Sequence, residues 1–217
     1  MYIKNTLTNK LTAFLSLFTV ETCILCTRGN INICNECLYS LPPPKECPSP
    51  CSYVLLSYRN EKVKKILQTA KYNHKSKLYG PLVAFLLAQN EVKGLLALKE
   101  NMLIFPLPVH YFRLLARGQN HTRTLANLLE KETGIKVVTN VLRKIRNTKK
   151  QMLLSRSERL RNQIESFEVK KGFEVFVRGK NIVLIDDIVT TGSTLAEVKK
   201  LLMNAGAKKV ICLVLAH

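Results

Sequence analysis

An α/β fold, with a mainly parallel sheet flanked by helices and a small cysteine-rich unit ahead of it, is what this 217-residue chain predicts. Short apolar runs alternate with helical periodicity from residue 52 onward. One run, Ile182 to Ile185, ends in two adjacent acids followed by a turn rich in hydroxyls and glycine. Six of the seven cysteines fall between Cys23 and Cys51. The length suffices for one sizeable α/β domain and a small appendage. A formal net charge of +19 with no long basic tail points to anionic partners: phosphates, nucleic acid or a membrane surface.

Residues 1–22 are expected to form an N-terminal amphipathic helix packed on the body of the protein. Its apolar stretch, Leu11 to Val20, falls short of the roughly 20 residues that cross a bilayer. A charged start and a short apolar core also fit a secretory signal. No small-residue cleavage site precedes Cys23, however, and no other segment is apolar enough for a membrane, so a cytoplasmic protein without a transmembrane segment is expected.

Residues 23–51 form the cysteine-rich unit. The pairs read Cys23-x2-Cys26, Cys34-x2-Cys37 and Cys47-x3-Cys51. A C-x2-C turn presents two thiolates on one side, and two such turns close a tetrahedron around structural zinc. So short a segment buries too little to fold alone, and the metal would supply its folding energy. The spacing leaves open whether Cys47 and Cys51 join the set. Leu41-Pro42-Pro43-Pro44 stiffens the way out, and Cys212, in an apolar run, reads as a buried strand residue.

From residue 52 to 217 the elements follow in order. Ser52 to Tyr58 reads as a strand, Glu61 to Tyr72 as a helix, and Leu78 to Leu98 as a longer helix with a break expected around Gly94. Met102 to Pro108 is an apolar strand that must end at its prolines. His110 to Glu132 is helical, with Gly134 as its stop signal. Strands are then expected at Lys136 to Leu142, Phe167 to Val169, Asn181 to Asp186 and Lys209 to Val214. Leu195 to Asn204 is the last helix, stopped by Gly206. Strands alternating with helices imply parallel pairing.

The chemistry concentrates at the strand ends. Ile182 to Ile185 suit a strand buried on both faces, so Asp186 and Asp187 would emerge at its carboxyl end, where open α/β sheets bind ligands. Adjacent carboxylates there hold vicinal hydroxyls or a magnesium ion. The turn Thr190 to Thr194 offers backbone N–H groups at the positive end of a helix, an anion seat the size of one phosphate. Hydroxyls beside a phosphate describe a ribose 5-phosphate. Between Arg143 and Arg161 stand eight Lys/Arg and one acid, Glu158, a density that repels itself unless it meets an anion.

The run Ile182 to Leu195 resembles the signature of the type I phosphoribosyltransferases, the loop for 5-phosphoribosyl 1-diphosphate (PRPP), and most closely that of the ComF family of competence proteins. The spaced residues Arg143, Thr148, Gln151, Leu154, Arg159 and Asn162 resemble the family pattern R-x4-T-x2-Q-x2-L-x4-R-x2-N. Pro106 to Asn120 is similar to the family segment in which a proline-bounded strand turns into a basic helix with an R-G-x-N element, although Gln119 and His121 depart from it. Lys71 coincides with a lysine that the family places after its first helix.

The resemblance implies a type I phosphoribosyltransferase-like domain behind a zinc knuckle, with Cys23, Cys26, Cys34 and Cys37 as the zinc ligands. It implies that Asp186 and Asp187 contact the ribose hydroxyls and that Thr190, Thr191, Gly192, Ser193 and Thr194 cradle the 5-phosphate of PRPP bound with Mg2+. Backbone N–H groups of Val109 and His110, with Arg113 and Arg117, would hold the diphosphate. Arg143, Lys144, Arg146, Lys149, Lys150 and Arg159 would form a lid or a nucleic-acid surface. The implied task is handling single-stranded DNA during natural transformation, with an ATP-driven translocase among the partners. The alternative is transfer of phosphoribosyl from PRPP to a nucleobase or amine, and nothing in the chain identifies a base pocket. Few aromatics accompany the basic runs, so DNA contact is expected to be mostly to phosphates.

Overall fold

The computed structural model describes residues 22–29, 31–72, 75–97, 99–108, 120–145 and 166–217. The chain separates into two compact units, Met1–Ser40 and Leu41–His217. The helix expected over residues 1–22 lies, apart from Thr22, outside the described residues.

The described part of the first unit is a tight turn followed by helix α1 (Asn35–Tyr39). Thr22 bridges Gly29, the Cys23 N–H donates to the Arg28 carbonyl at 2.7 Å, and the Thr27 N–H returns to the Cys23 carbonyl at 2.8 Å. Cys34 leads into α1, where the Leu38 N–H donates to its carbonyl at 2.9 Å. Both cysteine pairs therefore leave compact backbone turns. Among the described residues of this unit, Ile33 and Leu38 are the buried aliphatic side chains.

The second unit is built on four parallel strands in the order β1 (Tyr53–Leu56), β6 (Lys209–Ala216), β5 (Asn181–Ile188), β2 (Met102–Pro106). The central strands are continuous apolar runs because both faces are covered: Ile182 to Ile185 and Val210 to Leu215 are all buried. Helix α2 (Glu61–Tyr72) starts where the Asn60 Oδ1 accepts the Lys62 and Val63 N–H groups. Its stripe Val63, Ile66, Leu67 and Ala70 is fully buried, spaced as one helix face requires.

The expected helix over Leu78 to Leu98 is a 3-10 turn (Ser76–Leu78) running into α3 (Tyr79–Ala88), then α4 (Asn90–Leu95). The break falls at Gln89, whose backbone is extended (φ −70°, ψ 133°), and not at Gly94. The Gln89 amide donates to the Phe85 carbonyl at 2.9 Å and so caps the end it creates. Helix α5 (His121–Thr133) begins at Asn120, whose side chain accepts the Arg123 N–H, and ends at Gly134 in the left-handed region (φ 75°).

Among the described residues one bridge alone, Ile104 to Val137, continues the sheet beyond β2, so the strand expected at Lys136 to Leu142 does not form. Asn140 takes φ 67° and turns the chain away into β3 (Leu142–Lys144), antiparallel to β4 (Phe167–Val169). Helix α6 (Ser193–Asn204) packs Leu195, Val198 and Leu202 into the core with Ile182 and Leu184. Cys212, in β6, is fully buried there, as the apolar run implies.

Candidate functional site

Strand β5 runs to Ile188, so the acid pair sits within its last turns of pleat rather than beyond it. Asp186 pairs in register with Val214, and its Oδ1 accepts the Asp187 N–H at 2.8 Å. Asp187 is buried, and its Oδ2 lies 2.8 Å from the Nζ of Lys71, each side chain 11% exposed. Lys71 stands in the last turn of α2, so a helix end far away in sequence supplies the counter-charge of the strand end.

Past Ile188 the Val189 N–H still donates to the Ala216 carbonyl at 3.0 Å, and the chain then makes the hydroxyl turn. Gly192 closes it with φ 76° and opens α6, its carbonyl accepting the Ala196 N–H at 2.8 Å. The Thr191 and Ser193 hydroxyls lie 3.0 Å apart. These residues line a cleft of about 420 Å³ together with the acids, Lys71, Tyr58, Pro108 and Lys144. An acid pair, two ammonium groups and a hydroxyl-lined helix start thus share one concavity, suited to a polyol phosphate. His121 and Thr122 complete it, and the Thr122 hydroxyl donates to the Leu107 carbonyl at 2.8 Å.

The carboxyl of Asp186 is pushed up to about 8, by burial first and by the charge of Asp187 second, against the pull of the Asp187 N–H, Lys71 and Lys144. A carboxyl held above its unfolded value near 3.8 binds its proton more tightly when folded. Stability is therefore lost as pH rises from that value through the folded one. Asp186→Asn, which keeps the acceptor and cannot ionise, is expected to stabilise the chain by about 1 kcal/mol near pH 8 and by almost nothing near pH 4. Chemical unfolding at the two pH values checks this, and a gain that is the same at both would contradict it.

Of the basic residues singled out by sequence, Lys144 lines the cleft and also lies over the Phe167 ring, 5.1 Å from its centroid. Arg143 is engaged elsewhere: its Nε is 2.7 Å from Glu168 Oε1 on the neighbouring strand. Val109, His110, Arg113, Arg117, Arg146, Lys149, Lys150 and Arg159 lie outside the described residues. Sequence reasoning gave Lys71 little weight, and it did not point to Tyr58 or Thr122 at all. For Lys71 the only signal was its coincidence with the family lysine.

In the first unit the Sγ atoms of Cys23, Cys26, Cys34 and Cys37 all lie within 4.8 Å of one another. Cys26 and Cys34 are 3.6 Å apart, close to the roughly 3.8 Å edge of a tetrahedron with Zn–S bonds of about 2.3 Å. The four thiols fit a metal ion. Burial pushes the Cys23 thiol up, but the N–H groups of Cys34, Leu25 and Cys26 outweigh it and bring it down to about 6. The Cys37 thiol is pushed up to about 12, first by its contact with Cys34 and then by burial. Cys47 and Cys51 belong to the second unit, where the Cys47 thiol is 3.7 Å from the Cys51 carbonyl. Among the described residues no helix is long and apolar enough to cross a membrane.

A parallel α/β sheet whose strand end joins paired acids to a hydroxyl-lined helix start defines a domain of the phosphoribosyltransferase type, and residues 123–217 match the model of the phosphoribosyl transferase domain. Relatives extend the likeness over most of the chain. Competence protein F of Haemophilus influenzae is 29% identical across 82% of this chain and 75% of its own. The DNA utilization protein YhgH of Salmonella typhi is 30% identical across 82% of this chain and 74% of its own. A shorter stretch, 26% of this chain and 24% of the relative, is 52% identical to competence protein ComFC of Streptococcus pneumoniae. The chain belongs to the ComF family.

Proposed function

We propose that this protein binds PRPP with Mg2+ in the cleft at the end of β5 and engages single-stranded DNA through its basic surface, serving DNA uptake during natural transformation. The observation that carries the reading is the convergence of Asp186, Asp187, Lys71 and the hydroxyl turn on one cleft. Asp186 and Asp187 take the ribose hydroxyls, and Thr190 to Thr194 take the 5-phosphate. Lys144 and the cations following it meet the diphosphate, or the phosphates of a strand. The hard carboxylate oxygens of the acid pair suit magnesium, which when bound offsets diphosphate charge. The names of the relatives support the DNA task over transfer to an acceptor.

Calorimetry with PRPP and Mg2+ tests the cleft: wild type binds, and Asp186→Asn/Asp187→Asn loses at least about tenfold in affinity, as removal of charge-assisted hydrogen bonds predicts. Failure of the wild type to bind PRPP would remove the reading. For DNA, affinity for a single strand is expected to fall linearly in log–log form with salt, with little preference between sequences of like composition. A salt-insensitive interaction, or diphosphate released from PRPP only when a nucleobase is added, would favour the acceptor reading instead.

The knuckle takes zinc on Cys23, Cys26, Cys34 and Cys37, closing the site with four thiolates. Elemental analysis of purified protein is expected to find zinc in wild type and in Cys47→Ser but not in Cys34→Ser. Zinc kept by Cys34→Ser would exclude this ligand set.

A further inference from the structure

A second cavity opens beside the first. It encloses about 390 Å³ between the end of β2, the first turns of α5 and residues 138–142, and Pro108 borders both spaces. Its floor is apolar, with Phe105 and Val141 each 1% exposed and Leu142 7%. Its rim is of another kind. Arg123, Asn127, Thr139 and Asn140 line it, and among the described residues none of their side chains has a hydrogen-bond or ion-pair partner. Asn120 joins them; its Oδ1 accepts the Arg123 N–H at 3.2 Å and lies 2.6 Å from the Thr122 hydroxyl, which shares its one proton between this oxygen and the Leu107 carbonyl, and among the described residues the Asn120 amide N–H groups have no partner. Among the described residues no carboxylate lines the space.

Side-chain amides set a donor beside an acceptor, and a guanidinium presents a planar fork of donors. Above an apolar floor, such a rim is the complement of a flat ring with apolar faces and a hydrogen-bonding edge. Nucleobases have that chemistry, and asparagine and arginine read base edges in this way. A bare anion would gain nothing from the apolar floor. A volume of this size lies within the range of about 300–1,000 Å³ common for small-ligand sites. It has room for one base and part of its sugar. We propose that this cavity is a nucleobase site, filled by one base of a single strand whose phosphates follow the basic surface.

The source of the base rests on the DNA reading above; the chemistry of the cavity does not. Fluorescence anisotropy of the whole protein with an oligothymidine, an oligodeoxyadenosine and an abasic strand of equal length and charge tests it. At least one base-bearing strand is expected to bind roughly tenfold tighter than the abasic one, the worth of one well-made edge contact. Asn127→Ala and Asn140→Gly, the latter keeping the positive φ, should reduce it to the abasic level. Saturation-transfer NMR with free nucleobases, on wild type and Asn127→Ala, reads the other source. Free-base signals lost in the variant, with strands bound equally well, would mean a free base is the ligand of this site. Equal strand binding with no free-base signal overturns the proposal, and so does a base preference that survives both substitutions. PRPP titrated into the same samples reports the first cleft separately, so its failure cannot be mistaken for failure here. If strand binding is too weak to measure, the NMR arm decides alone.

Discussion

Gly192→Ala is expected to weaken binding of inorganic phosphate and ribose 5-phosphate by at least about tenfold and to lower stability by about 2 kcal/mol, the upper part of the cost of a left-handed side chain. Two independent features oppose any side chain there. The residue has φ 76°, and a Cβ would lie 2.3 Å from the carbonyl oxygen of Ser49 and 3.3 Å from Cδ of Pro50. The obstacle is backbone and cannot rotate aside. Nor is that segment free to retreat: the Cys51 N–H donates to the Pro48 carbonyl at 2.8 Å, and Ser52 is tied to Cys212 of β6 by its N–H at 2.8 Å and its hydroxyl at 3.0 Å. The hydroxyl turn must therefore yield, and with it the group of N–H donors at the start of α6. Calorimetry with the two phosphates, beside thermal unfolding, measures both effects. An alanine variant that binds as wild type would show that the turn does not hold the phosphate.

The parts legible in the sequence are those written in short range. Glu61–Tyr72, Met102–Pro106 and Phe167–Val169 follow the expected runs because a period of apolar residues, a proline or a short β-rich stretch decides each locally. The acid pair and hydroxyl turn were legible for the same reason, since every residue of that motif is contiguous. What was not legible depends on partners distant in sequence. The strand expected at Lys136 to Leu142 is apolar enough to pair, yet only Val137 meets β2, and the left-handed turn at Asn140 takes the rest to β4. An asparagine carries that option without announcing it. Strand β5 extends through Asp187 because Val214 and Ala216 of β6 continue alongside, and neither acid has strand preference of its own. Lys71 looked like an ordinary helix-end lysine; its meaning arises only when α2 sets it beside β5.

That pairing of Lys71 with Asp187 leads to an asymmetric expectation. Lys71→Met should cost about 2–3 kcal/mol, somewhat under the usual loss for breaking a buried pair because the cleft admits water. Asp187→Asn should cost less than half as much. Removing the lysine leaves the Asp187 carboxylate unpaired beside the Asp186 carboxyl in a partly dry site, with Lys144 still pulling on Asp186. Removing Asp187 instead deletes the repulsion between the acids and leaves Lys71 to serve Asp186, on which it already acts. The deficit of Lys71→Met should deepen as pH rises toward 8, because the carboxyl of Asp186, already held high, loses one of the charges that lower it. Both single variants should lose PRPP affinity while keeping inorganic phosphate, since in the proposed binding mode the acids take the sugar and the turn takes the phosphate. Urea unfolding of the two single variants and the double variant at pH 5 and pH 8 gives the coupling directly. Equal costs for the two singles, with no dependence on pH, would mean that the pair is a solvated contact and that Lys71 has no part in setting the charge of the acid pair.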